Sequence, residues 1–413
     1  MGYQVSITDI EKIADKVELE KAGFQVYDLG HPDFLVNEAW SLVVKNPGIK
    51  YQVPFIKKIS EKHQIINEIE VALTYSPNLE IAAITGTNGK TTTTSLLTEM
   101  LQSQFSDAYG AGNIGLPLSE ISLKVKDKPA KVALEIASFQ LVAVPNFKPK
   151  VATILNLTPD HLDYFPDLMS YYQSKLRIYQ NQDENDYFLL NLDDATVVSL
   201  VKDLKAKIIT YSLTQKADLY YQDHQVFFHD ECLFETSSMK LVGKHNIANA
   251  MVAALMAYLL KVDLKNIQSV ITSFLGVEHR LEYVTEIAGV KYYNDSKATN
   301  VESQVIALNA FSKPVILLAG GYDKKTGFDL LKQHQAQIKS LIAFGETKQQ
   351  FKTIFPDTIL VNDLNEATNL AYKFAKTNDV VLFSPGCASF DQYANFEERG
   401  RHFKKIVANL KKY

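Results

Sequence analysis

The sequence predicts an α/β protein of three domains, and three observations carry that prediction. At 413 residues the chain is too long for a single hydrophobic core. Short runs rich in Val, Ile and Leu alternate with helical patterns, which suits parallel strands buried on both faces. Between the apolar run 81–84 and a helical pattern at 93–101 stands Thr85-Gly86-Thr87-Asn88-Gly89-Lys90-Thr91-Thr92, a strand, glycine loop and helix in succession. Gly86 and Gly89 permit a tight turn that aims backbone N–H groups inward. The helix behind adds the positive end of its dipole, so the loop is an anion cradle. In that setting Lys90 reaches the outer phosphates of a nucleotide and Thr91 ligates Mg2+, making the central domain a P-loop ATPase-type sheet. The candidate ATP-binding residues here are Gly86, Thr87, Asn88, Gly89, Lys90, Thr91 and Thr92. The loop is a variant, with two residues between its glycines where the usual motif has four.

The remaining elements follow in order. Residues 1–69 read as small βα units: a strand at 3–7, a charged helix at 11–22, a strand at 24–29, and a strand at 41–45 running into the turn signal Asn46-Pro47-Gly48. Residues 70–276 form the central domain, with strands at 81–84, 132–136 and 151–155. From 208 to 242 short alternating segments, among them 218–222 and 225–229, predict an antiparallel excursion. Residues 246–260 read as one Ala-rich helix. Residues 277–413 open a third set of βα units, with strands at 291–293, 315–319, 340–344 and 380–383.

Composition excludes several classes. A net charge of −4, with 46% hydrophobic and 22% charged residues, describes a soluble globular protein with no bulk attraction for nucleic acid or an anionic membrane. The first ten residues lack a basic segment followed by an apolar one, and no apolar run approaches about 18 residues, so neither a secretory signal nor a membrane span is expected. Cys232 and Cys387 are too few for a disulfide framework or a metal cluster, and a reducing cytoplasm is the expected location.

Chemistry should gather beyond the carboxyl ends of the strands, where open parallel sheets bind ligands. The strand 132–136 sets Glu135 among apolar residues. A carboxylate there needs a partner or a metal, and Mg2+ is the expected one. The strand 151–155 runs into Asn156-Leu157-Thr158-Pro159-Asp160-His161-Leu162-Asp163, which brings His161 to the edge that carries the glycine loop. Asp160 and Asp163 read as turn formers or N-caps. In the third region Asn294-Asp295-Ser296-Lys297-Ala298-Thr299-Asn300, Gly320-Gly321-Tyr322-Asp323-Lys324-Lys325 and Ser384-Pro385-Gly386-Cys387-Ala388-Ser389-Phe390-Asp391 each follow a strand. Three such loops on one edge predict a substrate-facing rim. Cys387 reads as a small filler residue. Lys175, judged from its neighbours alone, reads as a solvated helix position.

Residues 85–92, 135–141, 158–164, Gly243-Lys244-His245-Asn246-Ile247-Ala248-Asn249-Ala250, His279-Arg280, 294–300 and 384–396 resemble the Mur ligase family, ATP-dependent enzymes that build the peptide of bacterial cell-wall precursors. Residues 135–141, 294–300 and 389–393 resemble the branch that adds D-glutamate, and the Asp-Asn-Pro-Arg motif of diaminopimelate-adding relatives is absent. The resemblance implies a UDP-binding domain at 1–69, an ATP-binding domain at 70–276 and a C-terminal Rossmann-like domain for the amino acid at 277–413. It implies that D-glutamate is joined to UDP-N-acetylmuramoyl-L-alanine through an acyl phosphate, with ATP as co-substrate. Two Mg2+ ions are implied, one on Thr91 and Glu135, the other on His161 and a carbamylated Lys175. Lys90, His161 and Lys175 are thus the implied catalytic residues. Asn246, Arg280 and Asp295 match positions around the nucleotide, Asp9 the uracil-binding acid, and Asn113 and Gln140 the muramoyl-alanine end. Thr299, Lys324, Ser389 and Phe396 match positions that receive D-glutamate. A monomer is expected, without nucleic-acid or membrane partners.

Two departures stand out. Ala137 occupies a position that is usually Ser in this branch. The family's opening strand and glycine turn, about thirty residues on the scale of one βα unit, are expected ahead of this chain's first strand, so domain 1–69 is expected to lack its first βα unit. A folylpolyglutamate-synthetase-like ligase, which shares the ATPase core, remains a second reading. A non-catalytic UDP-sugar-binding protein is a third, and it would not need Lys90, Glu135 and His161 together.

Overall fold

The apolar runs of the sequence assemble into four sheets in a computed structural model that describes residues 3–160, 164–322 and 327–410. The N-terminal residues form two small parallel pairs, β1 (Ser6–Thr8) with β2 (Gln25–Tyr27) and β3 (Val43–Val44) with β4 (Ile65–Ile66). These strands are shorter than the sequence pattern predicts because little of them is covered. No residue of β1 is buried, and in β2 only Val26 is. The helix predicted at 11–22 spans Lys16–Lys21 and buries nothing.

Nine strands make the central sheet: β5 (Leu79–Thr85), β6 (Ala108–Gly112), β7 (Ala130–Glu135), β8 (Val151–Ile154), β9 (Tyr187–Asn191), β10 (Lys207–Ser212), β11 (Leu219–Gln222), β12 (Gln225–Phe228) and β13 (Glu231–Glu235). Their spatial order is β13-β12-β11-β10-β9-β8-β5-β7-β6. Helices Lys90–Gln102 and Lys244–Leu259 cover one face, with Leu97, Met100, Met251 and Leu255 fully buried. The opposite face packs on Leu118, Ile121, Phe147 and Tyr171. β6 was not predicted. Its sequence Ala-Tyr-Gly-Ala-Gly has little strand propensity, but the missing side chain at Gly110 admits Thr98 of the covering helix. β9 also lay outside the predicted strands.

The predicted antiparallel excursion begins later than expected. β10 and β11 pair in parallel, and only β12 and β13 run antiparallel to their neighbours. The cause is the connection between β10 and β11. Asp218 accepts hydrogen bonds from the Thr210 N–H (2.8 Å) and hydroxyl (2.6 Å), which draws the chain back alongside the second half of β10 and sets β11 beside it in the same direction.

The third sheet has the order β14-β15-β19-β16-β17-β18, from β14 (Glu282–Ile287), β15 (Val290–Asn294), β16 (Val315–Gly320), β17 (Ile338–Phe344), β18 (Ile359–Leu360) and β19 (Val380–Phe383). All neighbours are parallel except β14 with β15. Both faces are covered, one by residues such as Leu308, Leu331 and Phe351, the other by Ala371, Phe403 and Val407. Among the described residues no helix is long and apolar enough to cross a membrane.

Candidate functional site

The central strand β5 delivers the glycine loop between its two neighbours. Register pairs Ile84 with Glu135 on β7 and Thr85 with Ile154 on β8, so the loop, the carboxylate and the segment after β8 share one edge. Gly86 (φ 144°) and Gly89 (φ 86°) take backbone conformations that L side chains rarely adopt. Asn156 braces the loop: its side-chain oxygen accepts from Asn88 N–H (2.8 Å) and its amide donates to the Asn88 carbonyl (3.1 Å). The Thr87 hydroxyl donates to the Thr158 carbonyl (3.1 Å). Lys90 folds over the loop, its ammonium donating to the carbonyls of Gly86 (2.9 Å) and Thr87 (2.8 Å). Burial, with help from the Arg280 charge, pulls Lys90 below the ordinary lysine range, against the opposing effect of Glu135 and Asp160. Thr91 and Thr92 follow in the first turn of the helix, Thr92 buried.

Glu135 ends β7 with 1% of its surface exposed. Its Oε1 accepts from the Asn113 amide (2.8 Å), while its Oε2 is buried with no hydrogen-bond partner among the described residues. Such an orphaned carboxylate oxygen beside an anion cradle fits a divalent cation, which satisfies it without a proton. Gly112, next to Asn113, must lack a side chain because a Cβ there would collide with the Glu135 carbonyl. Gln140 is a local cap: its Oε1 accepts from Ala137 N–H (2.9 Å) at the start of helix Ser138–Leu141.

Lys175 is not solvated. It is 1% exposed, and its Nζ donates to the Gly86 carbonyl (2.9 Å) and stands 4.9 Å above the Tyr171 ring. Helix Leu168–Leu176 lays its Tyr171, Tyr172 and Lys175 face over the sheet end, a tertiary placement its own sequence does not reveal. Burial, reinforced by the charge of Lys90, pulls the Lys175 amine down to about 7. Asp160 is exposed, and its charge acts on both lysines. His161 and Asp163 lie outside the described residues, as does Lys324.

A cleft of about 420 Å3 separates this cradle from the third sheet. Asn88, Gly89 and, through helix Lys244–Leu259, Asn246 line it from the central sheet, and Arg280 and Asp295 also line it, the charge of Arg280 acting on the Asp295 carboxyl. Asp295 is held by the Leu281 N–H (3.1 Å) and the Ser384 hydroxyl (2.7 Å), and burial pushes its carboxyl up to about 7. The sequence reading missed Asp193 and Asp194, which line the same cleft and fasten loops. Asp193 accepts from Ser212 and Thr214, and Asp194 from Leu157 N–H. The loops after β15, β19 and β16 are neighbours, since those strands are adjacent. Thr299 is half-buried just ahead of the helix N-cap Asn300, and Ser389 is buried. The Phe396 ring lies 5.9 Å from the Lys297 ammonium. Cys387 is buried with its sulfur 3.3 Å from the Thr347 hydroxyl, in keeping with a filler role. Asp9 is exposed after β1, accepting from Glu11 N–H (2.9 Å), and does not line the cleft.

The chain matches the family model described as Mur ligase middle domain over residues 84–257, and that described as Mur ligase, glutamate ligase domain over residues 279–387. It is 41% identical to the UDP-N-acetylmuramoylalanine–D-glutamate ligase of Bacillus cereus (strain G9842), across 99% of this chain and 93% of that protein. The chain belongs to the Mur ligase family. The like-named ligase of Lactobacillus acidophilus is 40% identical, over 98% of this chain and 91% of its own length. Solved Mur ligases share the fold. MurF from Acinetobacter baumannii superposes with a TM-score of 0.64 at 15% identity, covering 100% of this chain and 92% of its own. MurF from Thermotoga maritima, solved in complex with ADP, gives 0.59 at 18% identity over 86% of this chain and 92% of its own.

One residue of this Mur ligase that sequence reading missed ties the rim together. Arg399 is fully buried in helix Phe396–Leu410. Its guanidinium donates to the Ser296 hydroxyl (3.1 Å) and carbonyl (2.9 Å), and to the carbonyls of Cys387 (3.0 Å) and Ala388 (2.9 Å). It therefore joins the loop after β15 to the loop after β19. The available signal was periodicity: position 399 shares the buried face of Phe403, Ile406, Val407 and Leu410, where a charged residue needs a built-in set of partners.

Proposed function

We infer that this Mur ligase joins D-glutamate to UDP-N-acetylmuramoyl-L-alanine with ATP, acting as a monomer in the cytoplasm. The observation that carries the reading is the buried Glu135 Oε2, without a hydrogen-bond partner among the described residues, on the same sheet edge as the glycine cradle and Lys90. The near-full-length similarity to ligases of that name supports the choice of substrates.

A carboxylate is a poor acylating agent, so the alanyl carboxylate is first activated by in-line attack on the γ-phosphate of ATP, giving an acyl phosphate and ADP. Lys90 exchanges its two loop carbonyls for phosphate oxygens. Thr91 and Glu135 would hold one Mg2+, and His161 with a carbamylated Lys175 a second; such ions would supply positive charge against the transferred phosphoryl group. The carbamate forms when the neutral Lys175 amine adds to carbon dioxide and releases a proton, and its lowered pKa of about 7 keeps much of the amine neutral at physiological pH. Asn246, Arg280 and Asp295 hold the nucleotide. Asn113 and Gln140 face the muramoyl-alanine end, and Asp9 takes the uracil. Thr299, Lys324, Ser389 and Phe396 receive D-glutamate, whose two carboxylates suit a cation and hydroxyl donors. Its amine then displaces phosphate to form the amide. The three domains, 1–69, 70–276 and 277–413, bind UDP, ATP and the amino acid respectively.

The test is phosphate release from ATP. It should require both the nucleotide sugar and D-glutamate, with L-glutamate a poor substitute. Equal rates with the two enantiomers, or release driven by a folate with L-glutamate, would overturn the assignment.

A further inference from the structure

Outside the nucleotide cleft, the most unusual charged group among the described residues is Lys45. It directly follows β3 and is 4% exposed. Its three ammonium donors go to the carbonyls of the next turn: Asn46 (3.0 Å), Pro47 (3.3 Å) and Ile49 (2.6 Å). The Tyr51 ring lies 4.8 Å from the Nζ. Among the described residues no carboxylate pairs with it, and burial alone pulls its amine down to about 8. A buried ammonium without a counter-charge is costly, and it is retained only where its hydrogen bonds hold something in place.

What it holds is a joint between two parts of the chain. The Tyr164 hydroxyl, from beyond β8, reaches the same carbonyls of Pro47 (3.0 Å) and Ile49 (3.2 Å). Tyr164 packs on Phe139 at 5.8 Å, one residue from Gln140. A second strut runs parallel to it. Asn67, after the β4 strand that pairs with β3, donates its side-chain amide to the Gln140 carbonyl (2.6 Å), and its N–H goes to the Ala143 carbonyl (3.1 Å). The loop 46–49 is thereby fixed against the segment that carries Gln140.

We propose that Lys45 is a positioning residue for the nucleotide-sugar substrate: its ammonium gathers the carbonyls of loop 46–49 and, with Tyr164, sets the N-terminal region against the Gln140 segment in the geometry that substrate requires. This rests on the proposed function, which assigns the nucleotide sugar to Asp9, Asn113 and Gln140. Lys45 makes no contact with the ATP cradle, so its loss acts on one substrate only.

The experiment is steady-state kinetics of the full chain. Lys45→Met should raise the KM for UDP-N-acetylmuramoyl-L-alanine at least tenfold, with kcat and the KM for ATP within twofold of wild type. Tyr164→Phe, which removes one hydroxyl, should raise the same KM about threefold. In wild type that KM should also climb between pH 7 and 9 as the ammonium is lost, and the climb should be absent in Lys45→Met. The neighbouring phenols stay protonated there, since burial raises both Tyr51 and Tyr164, the latter to about 12. If Lys45→Met does not fold, Tyr164→Phe and the wild-type pH profile decide. An unchanged KM in the variants, or equal losses for ATP and the nucleotide sugar, overturns the positioning role. Failure of wild type to use the nucleotide sugar at all overturns the proposed function instead.

Discussion

Replacing Arg399 with Ala removes four hydrogen bonds from the centre of the C-terminal sheet edge. The Ser296 hydroxyl keeps its bond to the Phe396 carbonyl (2.8 Å) and the Ala388 carbonyl keeps the Tyr322 N–H (2.9 Å), but the buried carbonyls of Ser296 and Cys387 lose their guanidinium donor. Each orphaned acceptor costs about 1–3 kcal/mol. Water entering the space left by the side chain offsets part of this, so a local loss of about 2–4 kcal/mol is expected. Arg399→Lys keeps a charge and up to three donors, and should lose about 2 kcal/mol, because an ammonium cannot span both loops as the planar guanidinium does. The chain has a single tryptophan, Trp40, in the N-terminal region, so its fluorescence is blind to this change. Native-state hydrogen exchange at the amides of β15, β16 and β19 reads it directly. Because Thr299 and Ser389 sit on the two tethered loops, the KM for D-glutamate should rise in parallel with the opening. A loss below about 1 kcal/mol in Arg399→Ala, with an unchanged D-glutamate KM, would refute the tethering argument.

Lys90→Ala and Glu135→Ala should each lower turnover at least a hundredfold, about 3 kcal/mol of transition-state stabilisation; near-normal rates in either would place the nucleotide elsewhere. Lys175→Ala should be nearly inactive and partly restored by short carboxylic acids that refill the anionic position, and full activity without them would exclude a carbamate. Asp295 ionises near 3.8 in the unfolded chain but near 7 when folded, so the folded state holds the extra proton between those values. Its contribution to stability is present at low pH and is lost as pH rises from about 4 to about 7. Asp295→Asn stays neutral and keeps partners for Leu281 N–H and the Ser384 hydroxyl, so it should flatten the stability–pH curve over that window; an unaltered slope in denaturation midpoints would count against the buried carboxyl as its source.

The amino-acid sequence by itself determined the parallel core and the glycine loop at the end of β5. Continuous apolar runs such as 81–84 and 380–383 leave few alternatives to strands buried on both faces, and Gly86, Gly89 and Lys90 act through local backbone geometry that their order alone specifies. The strand-end loops were legible for the same reason, because a polar cluster directly after a buried strand has to emerge at the sheet edge. Tertiary structure alone decided the state of the buried charges. Lys175 reads as an exposed helical position until helix Leu168–Leu176 is laid over the sheet end, and Lys45 wholly and Arg399 mostly draw their partners from backbone carbonyls, which carry no signature in sequence. The same holds for the direction of β11, set by one carboxylate returning to Thr210. Desolvation and hydrogen bonding depend on which surfaces meet across long stretches of chain, and those meetings are settled by packing rather than by local pattern.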